Sequence, residues 1–237
     1  MKYLLYIFTC FLLSCNTNSK PDIQIVATPL FWNDIQNFKK QDSISFPPKN
    51  AILFIGSSSF TKWTDVQEYF PGYKIINRGF GGSTLLDQIR YVNDIVFPYQ
   101  PKQIIIYCGE NDLASSDTVT AEIVVDRFKQ LYKMIREKTH APIAFISIKP
   151  SPSRRHLLAK MRLANLSIMD FSIKQDSMAL LKSNMDPATL RFIDVHWKML
   201  NKAGEPIPEI FLEDSLHMNA KGYAIWQKEI QPYLLKD

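Results

Sequence analysis

Three stretches of this chain are apolar at almost every position and then stop on glycine or a small residue. Ala51-Ile52-Leu53-Phe54-Ile55 closes on Gly56, Gln103-Ile104-Ile105-Ile106-Tyr107 leads into Cys108-Gly109, and Ile143-Ala144-Phe145-Ile146 runs on to Ser147-Ile148. A strand with one wet face alternates apolar and polar residues, so continuous runs of this length mark strands buried on both faces. Lys74 to Asn77 and Arg191 to Val195 are weaker strands of the same kind. Apolar residues at helical spacing fill the gaps: Leu85 to Phe97, Thr120 to Lys138, Leu157 to Leu181 and Ala220 to Leu234, the last with Asn219 as its N-cap. Strands alternating with amphipathic helices predict an α/β fold, a parallel sheet covered by helices on both faces. Ligands of such sheets sit beyond the carboxyl ends of the strands.

The N-terminus is of another kind. Lys2 precedes a short apolar core, and Leu12-Leu13-Ser14-Cys15 resembles the lipobox of bacterial lipoproteins. Residues 1–14 are therefore read as a lipoprotein signal peptide, too short to span a bilayer, with Cys15 as the lipidated residue and membrane anchor. Residues 15–50 are a tether and N-terminal extension, with a short helix expected over Phe31 to Lys40, and 51–237 form one domain. Of three cysteines only Cys108 belongs to the folded part, where it ends an apolar run and reads as a small buried hydrophobe. The net charge of +5 loses one lysine with the signal. With no basic cluster interleaved with aromatics, a nucleic-acid partner is not expected. The His and Cys residues lack ligand spacing, so neither a metal nor another cofactor is expected.

The polar residues at the strand ends carry the chemistry. Ser58 follows the first run and Gly56, where a tight turn can lift a hydroxyl above the sheet. The cluster Asn77-Arg78-Gly79-Phe80-Gly81-Gly82 offers backbone that can approach a charged oxygen closely, and Asn111 offers a side-chain amide. A serine needs a base, and the base needs an acid. Among four histidines, His140 and His156 lie in charged surroundings, and His196 is the competitor because it follows Asp194. One turn puts Asp214 and His217 on the same side, which makes His217 the favoured base. Gly-x-Ser-x-Gly is absent, which excludes the nucleophile elbow of α/β-hydrolases.

Ser58, Gly82, Asn111 and His217 on successive loops of such a sheet resemble the SGNH hydrolases, the GDSL-type esterases and lipases, from about Ile52 to the end. The resemblance implies a three-layer α/β/α sandwich with a five-stranded parallel sheet, flavodoxin-like in topology. It implies Ser58 as nucleophile, Asp214 and His217 as acid and base, and an oxyanion hole of Ser58, Gly82 and Asn111. The family's Gly-Asp-Ser block has Ser57 at its Asp position here. The expected activity is a serine ester hydrolase acting on a small-molecule or carbohydrate ester, with acetyl or short acyl groups favoured. Lysophospholipase or thioesterase activity, or a non-catalytic glycan-binding lipoprotein on a decayed fold, are the alternatives. Lys149 to Arg154, beyond the fourth strand, reads as a rigid, solvated Pro-rich loop at the pocket, with Lys149 and Arg154 as cations for an acidic sugar as the alternative.

Overall fold

A computed structural model describes residues 28–182 and 189–236. The signal peptide and Cys15 lie outside the described residues. Helix α1 (Trp32–Ile44) precedes strand β1 (Ile52–Gly56), which is followed by two single-turn helices, α2 (Ser58–Thr61) and α3 (Val66–Tyr69). Then come β2 (Ile75–Gly79), α4 (Leu85–Ile95), β3 (Gln103–Tyr107), α5 (Glu110–Ser115) and α6 (Ala121–Arg136). The chain ends with β4 (Ile143–Ile146), α7 (Leu158–Lys182), β5 (Leu190–Ile193) and α8 (Ala220–Ile230). All pairings are parallel, in the order β2-β1-β3-β4-β5. The expected α/β fold is therefore present.

The continuous apolar runs are explained by burial on two sides. Leu53, Ile55, Ile104, Ile106 and Phe145 face a core closed by α1, α4, α6 and α7. The alternate residues Ile52, Phe54, Ile105, Tyr107 and Ile146 face a second core containing Phe60, Trp63, Tyr223 and Trp226. Trp63 stacks on Tyr223 with ring centroids 4.7 Å apart, joining the α2 region to α8.

Several boundaries differ from expectation, β4 ending at Ile146 short of Ile148 among them. Helix α1 runs to Ile44, past Lys40. Strand β2 continues through Arg78 to Gly79, because the buried guanidinium ion-pairs with Asp42 of α1 and donates from Nε to Tyr99 Oη at 2.7 Å. Burial and the Asp42 contact push the Tyr99 phenol up to about 12, so it stays protonated and donates to Asp42 at 2.6 Å. Strand β5 ends at Ile193, two residues early, where the Ser147 hydroxyl accepts the N–H groups of Val195 and His196 and turns the chain away.

Gly56 ends β1 because nothing larger fits. Its φ is +151°, and a Cβ there would lie 1.9 Å from the Tyr107 carbonyl oxygen. Gly56→Ala is expected to cost about 3 kcal/mol, read as a lower denaturant midpoint at unchanged m-value. A wild-type midpoint would show that the turn tolerates a side chain.

Candidate active site

Three serines follow Gly56, and the turn into α2 separates them. Ser57 and Ser59 are both 3% exposed, while Ser58 is partly open to solvent. Ser57 acts through its backbone: its N–H donates to Tyr107 O at 3.2 Å, and its carbonyl accepts from the N–H groups of Phe60 and Thr61. The position that carries Asp in the family pattern thus supports the turn without a carboxylate. Only Ser58 can meet a solvent-borne substrate.

The β2 loop lies beside it. Gly81 approaches so closely that a Cβ there would be 3.9 Å from Ser58 Cβ, and Gly82 has φ +83°, which favours glycine. Among the described residues, neither the Ser58 nor the Gly82 backbone N–H has an intramolecular acceptor. The loop is fixed from below. Ser83 Oγ donates to Phe80 O at 2.8 Å, and Gln88 Nε2 donates to Ser83 Oγ at 2.9 Å. Asp112 accepts the Leu85 N–H at 2.9 Å while bridging to Arg127 at 2.7 Å, which ties α4 to α6.

The Asn111 amide has a defined orientation. Its Oδ1 accepts from Arg154 Nη2 at 2.9 Å, and a guanidinium can only donate, so Nδ2 must point the other way. One Nδ2 hydrogen goes to Ser83 O at 3.0 Å, leaving the second for another acceptor.

The acid and base meet as expected, in a turn before α8 and not in a helix. His217 Nδ1 lies 2.6 Å from Asp214 Oδ2. Asp214 Oδ1 accepts the N–H groups of Leu216 and His217, both at 2.9 Å, and Ser215 at φ +55° makes the bend. Desolvation alone would raise the Asp214 carboxyl, but the His217 ring and these backbone donors hold it well below the usual carboxylate range. An ionised carboxylate only accepts, so Nδ1 carries the proton and Nε2 presents a lone pair.

His196 is excluded as a base by its surroundings. It is buried, its Nδ1 faces Ile148 O at 2.8 Å, and burial lowers its pKa. Asp194 accepts the backbone N–H of His196, at 3.0 Å, and not a ring nitrogen. His140 and His156 are exposed. Cys108 is buried, and burial pushes its thiol far above the ordinary value, which leaves no thiolate for attack.

The expectation for Lys149 is corrected. It is 1% exposed, with Nζ 2.9 Å from Glu110 Oε2 and 2.8 Å from the Leu216 carbonyl oxygen. It is a buried partner and not a pocket cation. Arg154 is likewise engaged, by Asn111 and by Glu110 Oε1 at 3.3 Å. Glu110 also accepts from Tyr107 Oη at 2.7 Å and Ser151 Oγ at 3.2 Å. Burial alone would raise the Glu110 carboxyl, yet Lys149 and Arg154 hold it below its ordinary value. Ser153 N–H donates to Ser215 O at 3.0 Å, a second tie to the acid–base turn. Sequence reading missed Glu110 altogether; its adjacency to Asn111 was the only available signal.

A family model described as the GDSL-like lipase/acylhydrolase family matches residues 42–225. Among solved structures the chain is similar to a GDSL-like lipase from Bacteroides thetaiotaomicron, with 16% identity over 84% of this chain and 96% of that one and a TM-score of 0.65. It is similar to the lipase/acylhydrolase from Enterococcus faecalis, with 19% identity over 79% and 98% and a TM-score of 0.57. A variant of an acetyl-xylooligosaccharide esterase from Geobacillus gives 14% identity over 78% and 94% and a TM-score of 0.58. Curated proteins returned no match. At these identities the structural likeness speaks for the fold.

Glu110→Gln should remove the charge that neutralises Lys149 and Arg154, at a cost of about 3–5 kcal/mol. Because the native Glu110 pKa is depressed, its contribution is complete above the unfolded value near ~4.3 and fades as pH falls below it. Wild type should therefore lose stability on acidification more steeply than Glu110→Gln in parallel urea titrations. Parallel acid limbs would contradict the assignment.

Proposed function

We propose a serine-nucleophile mechanism for this chain, which belongs to the GDSL-like lipase/acylhydrolase family and is an ester hydrolase. Ser58 Oγ attacks the ester carbonyl carbon while His217 Nε2 takes its proton, and Asp214 fixes the tautomer and stabilises the imidazolium. The carbonyl oxygen becomes an oxyanion held by the Ser58 and Gly82 N–H groups and the remaining Asn111 Nδ2 hydrogen. As the carbon–oxygen bond breaks, His217 returns the proton to the leaving alcohol. Water then attacks the acyl-Ser58 ester with His217 again as base, releasing the acid and restoring the serine.

The observation that carries this reading is the 2.6 Å Asp214–His217 contact, which leaves Nε2 as the open ring nitrogen. The orientation of Asn111 supports it too, since one of its two N–H donors is left over for an oxyanion.

For the substrate we propose acetyl or other short acyl esters of carbohydrate. The likeness to an acetyl-xylooligosaccharide esterase favours this, as does the single turn of α2 after Ser58, which offers no long lid. A lipid on Cys15 would hold the domain at the bacterial cell envelope, within reach of acylated polysaccharide.

With p-nitrophenyl acetate, Ser58→Ala and His217→Ala should lose about 10⁶-fold in kcat. Asp214→Asn should lose about 10⁴-fold in kcat, and Asn111→Ala about 10²- to 10³-fold. Equal background release by wild type and all variants would instead favour a glycan-binding protein on a decayed fold.

A further inference from the structure

A segment ahead of the region matched by the family model stands against the site. The model match begins at residue 42, whereas Leu30-Phe31-Trp32 precedes it and opens α1. The Phe31 ring lies 3.9 Å from the point a Cβ on Gly82 would occupy, so it borders the proposed oxyanion glycine. It packs edge-on against Phe80 of the same loop, with centroids 5.3 Å apart. The segment is anchored by Tyr91, whose hydroxyl donates to Leu30 O at 2.6 Å.

Its backbone is unusual. Phe31 has φ +64°, a left-handed conformation that a bulky residue adopts at a cost and that glycine or asparagine would take more cheaply. The chain keeps an aromatic ring there. On either side, Leu30 and Trp32 are 70% and 41% exposed, which makes this rim apolar and open.

The chemistry decides which part of an ester would meet that rim. The leaving oxygen must lie where His217 can protonate it. The His217 turn runs into Met218, in the core of the second sheet face, whereas Phe31 and Phe80 pack in the core of the first. With the carbonyl oxygen turned to Gly82 and Asn111, the acyl group is left on the side away from His217.

We propose that Phe31 is the wall of the acyl subsite and restricts this enzyme to short acyl groups. The inference rests on the esterase reading above. It assigns acyl-length selection to the N-terminal extension, while the alcohol half of the substrate lies toward the His217 turn.

The test compares kcat/KM of the full chain for p-nitrophenyl acetate, butyrate and hexanoate. Phe31→Gly is the informative variant, because glycine accepts the positive φ and deletes only the ring. The hexanoate-to-acetate ratio should rise by about 10-fold or more, and Phe31→Trp should lower it. A ratio within about twofold of wild type in a folded Phe31→Gly protein would overturn the proposal. If that variant fails to fold, Phe31→Leu is read the same way, and an unchanged ratio there overturns it too. If wild type hydrolyses none of the esters, the esterase reading itself falls, and the acyl wall with it.

Discussion

One buried carboxylate organises this site. Glu110 lies at the start of α5 and accepts from Tyr107, Lys149, Ser151 and Arg154. Taking a carboxylate out of water costs several kcal/mol unless cations and donors replace the hydration shell. The two cations that meet that need have second duties. Arg154 fixes the Asn111 amide, and Lys149 holds the Leu216 carbonyl beside His217. The Asn111 amide on α5 and the Asp214–His217 turn of the C-terminal segment are thus located by the same charge.

The other turns around Ser58 have holders of their own. The turn into Ser58 depends on Gly56, where β1 and β3 approach too closely for a side chain. The loop after β2 is held by Ser83 and Gln88 beneath it, and the Asp214–His217 turn by Lys149 and Ser153. Substitution of Ser57 for the family's Asp leaves the nucleophile turn intact because the holding groups at that position are backbone N–H and C=O.

The strands were legible in the sequence for a definite reason. β1, β3 and β4 are buried on both faces, so every position had to be apolar, and a local pattern reported a global fact. Ser58 and Asn111 stand out as polar residues after two such runs and Asp214 with His217 as an acid and a base one turn apart, whereas Gly82 is singled out only by the family resemblance. The Glu110 cluster was not, since its members lie 39 and 41 residues apart along the chain and charged residues ordinarily read as surface. The same blindness placed Lys149 in an expected solvated loop and cut β2 short at Asn77, when Arg78 is buried by Asp42 and Tyr99. Burial of a charge is decided by a distant partner, and no local period records it.

The account rests on Ser58 being the one activated hydroxyl among three neighbours. Labelling the purified protein with a fluorophosphonate, followed by peptide mass mapping, addresses this directly. The prediction is a single adduct on Ser58 that disappears when His217 is alanine. An adduct on Ser57 or Ser59, or equal labelling without His217, would contradict it.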